Sequence, residues 1–363
     1  MPTRRAVLAI PALALGRPFT GQSNSSQGFH FQPEGGIFGD PIRFFHDGTY
    51  HVFYLRGQLL PTGKLTPLGW HQIASRDLVK WEELPPALLS DANDRSCATG
   101  SIIERNGVFH AFYSGATTAG PAISHATSHD LNTWTKDPAN PILLPDQTRF
   151  SKPHWRDPHV FWNAPAKEYW MAIASQENSD ANSPYAGCVA LATSTDLAQW
   201  TVKGTIYSDR QSIAAECPDI FPYRGGWGMI YYTRTSRFRV AAYPQGPWRS
   251  TSLEDLSGLD FNAAQSMWDG RRRIVIEMIP RRSSDFAEGD YGGTMLLPRE
   301  LAADAAGNPI VRCPAEVVAA CKEDATAGLG MKVFKPLMDS ACTIDRTSAR
   351  LFQKDGKPGM LWR

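Results

Sequence analysis

Asn106-Gly107-Val108-Phe109-His110-Ala111-Phe112-Tyr113 reads as a tight turn feeding an aromatic strand, and the 363-residue chain repeats that phrase. Asn-Gly accepts the left-handed conformations a hairpin turn needs, and the residues after it suit a half-buried strand. Asp47-Gly48-Thr49 leads into Tyr50-His51-Val52-Phe53-Tyr54, and Pro165-Ala166-Lys167 into Tyr169-Trp170-Met171-Ala172-Ile173. Gly225-Gly226 leads into Trp227-Gly228-Met229-Ile230-Tyr231, and Asp269-Gly270 into Arg273-Ile274-Val275-Ile276-Glu277. The first residues, Tyr50, Phe109, Tyr169, Trp227 and Arg273, stand 59, 60, 58 and 46 positions apart. Five units of that size, each with room for about four short strands, predict an all-β chain folded as a five-bladed β-propeller.

A second phrase supports the same division. Ser75-Arg76-Asp77-Leu78-Val79-Lys80-Trp81, Ser128-His129-Asp130-Leu131-Asn132-Thr133-Trp134 and Ser194-Thr195-Asp196-Leu197-Ala198-Gln199-Trp200 share S-x-D-L-x-x-W. The fourth unit keeps only the tryptophan, in Gln245-Gly246-Pro247-Trp248. The expected role is structural: a turn followed by a tryptophan packed between units.

The chemistry is carried by three acids. His154-Trp155-Arg156-Asp157-Pro158-His159 places an aspartate and an arginine before an apolar strand, Gly39-Asp40-Pro41 opens the first unit, and Glu216-Cys217-Pro218-Asp219 the fourth. Proline lacks a backbone donor and holds the residue before it extended, so each acid is expected at the edge of a strand. In a propeller the innermost strands line a channel, and residues at their starts converge on its mouth. Asp40, Asp157 and Glu216 are therefore read as one carboxylate site. The second unit offers Cys97-Ala98-Thr99-Gly100-Ser101 at that level, with Thr99 and Ser101 as hydroxyl contacts; the fifth offers Asn262 and Gln265. Arg156 and Trp70 are further substrate-contact candidates, although for Trp70 filling a blade is the favoured role.

Charge is nearly balanced, with Lys+Arg 37 against Asp+Glu 36, and no basic stripe marks a nucleic-acid or anionic-membrane partner. Eleven Trp suit sugar binding as well as core packing. The nine His and six Cys show no zinc-ligand spacing, so no metal or cofactor is expected. Cys97, Cys188 and Cys217 read as buried thiols; Cys313, Cys321 and Cys342 leave a bridge open.

Thr3-Arg4-Arg5 precedes a short apolar run ending near Leu15 and a polar stretch to Gly28, the pattern of an export signal. The paired arginines look like a twin-arginine signal, which points to a secreted or periplasmic protein. No stretch reaches the roughly 18 apolar residues of a membrane span. The expected organisation is a signal and linker over 1–27, a propeller over 28–301, and a short C-terminal segment over 302–363. That segment reads as a short β appendage or reduced β-sandwich, or else as a poorly ordered tail. The sequence does not fix an oligomeric state.

These motifs resemble glycoside hydrolase family 32, the invertase and fructanase family. Trp155-Arg156-Asp157-Pro158 is similar to the family's Arg-Asp-Pro element, Glu216-Cys217-Pro218-Asp219 to its Glu-Cys-Pro element, and Cys97-Ala98-Thr99-Gly100-Ser101 to its Phe-Ser-Gly-Ser segment. Gly69-Trp70-His71 resembles its Trp-Gly-His strand, and Leu297-Pro298-Arg299-Glu300-Leu301 its Leu-Pro-Arg-Glu-Leu end. The resemblance implies a propeller glycosidase with Asp40 as nucleophile, Asp157 as transition-state stabiliser and Glu216 as acid/base, acting on a terminal fructosyl unit of sucrose or a fructan. Two places depart from it. Gly39-Asp40-Pro41-Ile42-Arg43 stands where the family reads Asn-Asp-Pro-Asn-Gly, and Leu55 where it commonly has a glutamine.

Three readings stay open at this stage. Retaining hydrolysis would have Asp40 attack the anomeric carbon while Glu216 protonates the leaving oxygen. Asp157, beside Arg156, would stay ionised, and Glu216 would need a raised pKa. Inverting hydrolysis, as in the related family 43 arabinosidases and xylosidases, would use Asp40 as a general base. A sugar-binding propeller without catalysis is the third.

Overall fold

A computed structural model describes residues 30–326, 349–354 and 357–362, apart from 35, 58–65, 67, 93, 118–119, 179–184, 259–260 and 281–291. The expected signal over 1–27 lies outside the described residues. Among them, no helix is long and apolar enough to cross a membrane.

Five antiparallel sheets follow one another along the chain. Blade I is β1 (Pro41–His46), β2 (Thr49–Arg56), β3 (Gly69–Ser75) and β4 (Glu82–Leu88). Blade II is β5 (Cys97–Arg105), β6 (Val108–Thr117), β7 (Gly120–Ser128) and β8 (Thr135–Lys136). Blade III is β9 (Phe150–Asn163), β10 (Glu168–Glu177), β11 (Gly187–Ser194) and β12 (Thr201–Ser208). Blade IV is β13 (Glu216–Tyr223), β14 (Gly226–Tyr232) and β15 (Ser236–Ala241), edged by bridges to Arg249 and Asp255. Blade V is β16 (Asn262–Trp268), β17 (Arg273–Pro280), β18 (Gly293–Met295), β19 (Arg299–Ala303) and β20 (Pro309–Arg312). The first strand of each blade touches the first strand of the next, and β16 touches β1, so the ring closes as the predicted five-bladed propeller.

Closure also uses the segment before β1. Phe38 and Gly293 exchange backbone hydrogen bonds of 3.0 and 2.8 Å, and Phe31, Phe38 and Tyr54 pack with Met267, Ile274 and Met295 between blades I and V. Elsewhere apolar faces of neighbouring blades seal together. Trp134 of blade II meets Phe53 of blade I edge-on, and Trp200 of blade III meets Phe112 of blade II in the same way. The S-x-D-L-x-x-W phrase sets up this packing. In the third copy the Asp196 carboxylate accepts the backbone N–H groups of Ala198 and Gln199, and Leu197 takes φ +69° and is buried. The Trp200 indole N–H then closes onto the Leu197 carbonyl at 3.1 Å. The side-chain oxygen thus satisfies donors that would otherwise be orphaned as the chain reverses.

Two expectations change. The shift in composition near 301 is not the end of blade V, because β19 and β20 add to β17 as its outer strands and carry the sheet to Arg312. Beyond it stands a helix that the sequence reading did not predict, α1 (Ala315–Thr326), whose Val317 fills the seam between blades I and V. The described part of the C-terminal segment ends in a two-stranded hairpin, β21 (Ala349–Lys354) with β22 (Lys357–Trp362).

Candidate active site

Four of the five innermost strands carry the same irregularity. Between Cys97 and Gly100, Arg156 and His159, Glu216 and Asp219, and Asn262 and Gln265, the inner strand advances three residues while its partner advances two. Such a bulge kinks the strand and re-aims its side chains. Asp157, Cys217 and Ala263 are the second residues of three of them, at φ +56°, +48° and +57°. A side chain in that left-handed region costs on the order of 1 kcal/mol or more, so the surrounding packing must hold it there. Pro158 and Pro218 come next, where the bulge leaves a residue without a ladder bond and a missing N–H costs nothing.

This corrects one expectation. Asp157 is not at the edge of its strand but in the middle of β9, which extends upstream to Phe150. Proline marked the interruption correctly, but the interruption is a bulge. Asp40 immediately precedes β1, and Glu216 is the first residue of β13.

The bulges bring the acids together. The Thr99 hydroxyl donates to Asp40 Oδ2 at 2.6 Å. Asp157 Oδ2 accepts the Cys217 backbone N–H at 3.1 Å and lies 3.8 Å from Arg156 Nε. Arg156 Nη2 pairs with Glu216 Oε1, and its Nη1 meets His154 Nδ1 at 3.1 Å. The Cys217 sulfur stands 3.9 Å from both Asp40 Oδ2 and Asp157 Oδ2, so one thiol spans the two carboxylates. Ser114 links the blades beneath them: it accepts the Asp157 N–H at 2.7 Å and donates to the Thr99 carbonyl at 2.9 Å. With its single proton committed there, its 3.5 Å approach to Asp157 Oδ1 is a weak contact.

Exposure grades the acids. The Glu216 side chain is 37% exposed and that of Asp157 only 6%, with Asp40 between buried and exposed. Burial, reinforced by the charges of Glu216 and Asp40, pushes Asp157 up to about 7 against the pull of Arg156 and the Cys217 N–H. The sequence reading had Asp157 kept ionised with help from Arg156 or a neighbour; the guanidinium is nearly 4 Å away and shared with Glu216, and its pull is smaller than the push of burial. Burial, followed by the charges of Asp157, Asp40 and Glu216, raises the Cys217 thiol well above its ordinary value, so it stays protonated and is no thiolate nucleophile. For Arg156, burial is outweighed by Asp157 and Glu216, and its pKa lies above the ordinary one. Among the described residues no group of three or more His, Cys, Asp or Glu is arranged to hold a metal ion.

Two predicted contacts are placed elsewhere. Trp70 is fully buried at the seam of blades I and II, its indole N–H on the Ala98 carbonyl at 2.9 Å, so its ring presents no face for stacking. Ser101 is buried and accepts the Val160 N–H at 2.9 Å, tying β5 to β9. Both lie on the inter-blade side of strands whose alternation was legible but whose two faces are both apolar. Asn262 stands at the bulge of blade V, its Oδ1 accepting from the Tyr232 hydroxyl at 3.0 Å, while Gln265 is buried. Ile42 and Leu55, the two departures toward apolar residues, are fully buried between blades I and II. Sequence reasoning missed Ser114 altogether, since a serine after an aromatic strand carries no signal of its own. Cys97, Cys188 and Cys217 are the buried thiols expected.

Comparison with known proteins agrees with this geometry. The model of the glycosyl hydrolases family 32 N-terminal domain matches residues 30–314. A sucrose-6-phosphate hydrolase of Zymomonas mobilis is 30% identical over 325 residues, covering 79% of this chain and 61% of the relative. The levanase of Bacillus subtilis is 31% identical over 208 residues, 53% of this chain and 28% of the relative. The chain therefore spans about three fifths of the length of the first of these relatives. Among solved structures, fructan 1-exohydrolase IIa of Cichorium intybus superposes with a TM-score of 0.68 at 23% identity, over 80% of this chain and 60% of that one, a likeness of fold. With its propeller, its three acids at the ring's mouth and a family match over most of its length, the chain belongs to glycosyl hydrolase family 32.

Proposed function

We propose that the chain is a retaining β-fructosidase that releases terminal fructosyl units from sucrose or a fructan. The observation that carries this reading is the convergence of three acids from three blades: Asp40 and Asp157 on the Cys217 thiol, and Glu216 on Arg156 beside Asp157. Relatives named as a sucrose-6-phosphate hydrolase and a levanase support the sugar class.

Glycoside cleavage passes through an oxocarbenium-like transition state and needs a proton donor at the leaving oxygen with a carboxylate on the other side of the sugar. Asp40 attacks the anomeric carbon from the channel wall, oriented by Thr99. Glu216, more open than Asp157, protonates the leaving oxygen and then draws a proton from the incoming water. Asp157 sits deepest and accepts hydrogen bonds from the sugar hydroxyls, while Arg156 positions Glu216. Because Ile42 and Leu55 are buried, those two positions bring no polar group to the ring, and recognition falls to Asp157, Arg156 and Asn262, while the buried Thr99 holds Asp40. Export through the N-terminal segment fits a polymeric or extracellular sugar, and rests on the arginine pair and apolar run over 1–27.

The test is sugar release by the purified chain from sucrose, inulin, levan, arabinan and arabinoxylan, beside its Glu216→Ala variant. Fructose release lowered about 10²–10⁴-fold in kcat by the variant is expected. Arabinose or xylose release, or binding without any release, contradicts the reading.

A further inference from the structure

The same strands carry a second, largely buried polar layer centred on Arg43, which stands where the family motif has glycine. Arg43 Nε donates to the Ser266 carbonyl of β16 at 2.5 Å, and Nη2 donates to Asp219 Oδ1 of β13 at 2.5 Å. The same Nη2 lies 3.2 Å from His159 Nδ1 of β9. The other Asp219 oxygen accepts the Ser266 N–H at 2.7 Å and its hydroxyl at 2.6 Å. His159 Nε2 is 3.0 Å from the Ile220 carbonyl, which can only accept, so Nε2 carries the proton and Nδ1 accepts from Arg43. Arg273 completes the layer, donating to Ser266 Oγ at 3.0 Å with its guanidinium 3.8 Å from the centre of the Phe221 ring. One guanidinium therefore ties the innermost strands of blades I, III, IV and V.

The attachment points are not arbitrary along those strands. His159 and Asp219 are the residues at which pairing resumes after the bulges, and the upstream ends of those bulges hold Arg156–Asp157 and Glu216–Cys217. Arg43 lies on β1 three residues after Asp40, which immediately precedes that strand. A bulge leaves its kink undetermined until the residue after it is fixed, and Arg43 fixes two bulges against the strand that the third acid opens. Arginine suits this task because its planar fork holds three acceptors in fixed directions, which a lysine ammonium cannot.

We propose that Arg43 is a positioning residue of this active site, a clamp that sets the aim of Asp157 and Glu216 relative to Asp40; the proposal rests on the hydrolase reading above. Arg43 touches no substrate, being 5% exposed. Its loss is expected to act on kcat, because misaligned acids bind a sugar nearly as well as aligned ones but stabilise the transition state less.

Arg43→Met alone leaves Asp219 buried without its partner and could fail to fold. The informative variant is therefore Arg43→Met/Asp219→Leu, which removes both charges together. The expected result is a folded double variant with kcat lowered about a hundredfold and KM within about threefold, and with Arg43→Lys between it and wild type. A folded double variant with wild-type kcat overturns the clamp. A second readout needs no activity: in protein labelled with ¹⁵N at histidine, His159 is expected as the Nε2–H tautomer, with its Nδ1 resonance displaced in Arg43→Lys and in the double variant. An unchanged His159 signal overturns the proposal. A wild-type chain that releases no fructose defeats the hydrolase reading alone, and the clamp is then judged on His159.

Discussion

Asp157 and Asp219 are two aspartates on neighbouring inner strands, both buried, with opposite electrostatics. For Asp219 burial is outweighed by Arg43, His159 and Arg273 and by the Ser266 hydrogen bonds, and its pKa is lowered. For Asp157 burial prevails, aided by Glu216 and Asp40, and its pKa is raised to about 7. The difference is the number of donors within reach. Asp219 is matched on both oxygens, whereas Asp157 holds one backbone N–H, half of a distant arginine and only long contacts from the Cys217 thiol and the Ser114 hydroxyl. On the proposed reading, a carboxylate that holds the ring together is saturated by the protein, whereas one that meets the sugar keeps acceptor capacity for its hydroxyls.

The largest effect that could break this contrast lies in the lower layer. Asp219→Ala leaves Arg43 charged and buried, and a loss of about 3–5 kcal/mol in unfolding free energy is expected by urea titration; a change under 1 kcal/mol would mean the pair does not hold the ring. In the upper layer the sign reverses. The folded pKa of Asp157 lies above its unfolded value, so its contribution is fully present below about pH 4 and is lost as pH rises through about 7. Asp157→Asn keeps the neutral form at every pH. It is expected to be more stable than wild type by at least about 1 kcal/mol at pH 8, to converge with it near pH 4, and to be inactive throughout. A variant less stable than wild type at pH 8 would remove the contrast. The smallest effect concerns Ser101, which belongs to the seam rather than the site. Ser101→Ala orphans the Val160 N–H and should cost about 1 kcal/mol of stability while KM stays within about twofold; a tenfold rise in KM would restore Ser101 to the sugar site.

Sequence alone made the ring legible because its signals are local. Asn106-Gly107 and Asp47-Gly48 announce hairpins without knowledge of their neighbours, and the S-x-D-L-x-x-W phrase closes its own turn. The convergence of Asp40, Asp157 and Glu216 was also legible, since X-Pro steps accompany an acid near the innermost strands of units one, three and four. What stayed hidden depends on which blade face meets which. Trp70 and Ser101 alternate correctly along their strands, yet alternation does not tell the channel from the seam when both are buried. Arg43 looked like a lost glycine in a divergent motif, because its three acceptors lie more than a hundred residues away in sequence. The outer strands of blade V escaped for the reverse reason: Arg299–Ala303 and Pro309–Arg312 are short and half-exposed, and their composition reads as a tail.

The most direct test of the central claim is to follow fructose release from sucrose by proton NMR in the first minutes of reaction, before mutarotation. Attack by Asp40 and return of water under Glu216 give net retention, so β-fructofuranose should appear first and equilibrate afterwards. The α-anomer as first product would contradict the nucleophilic role of Asp40.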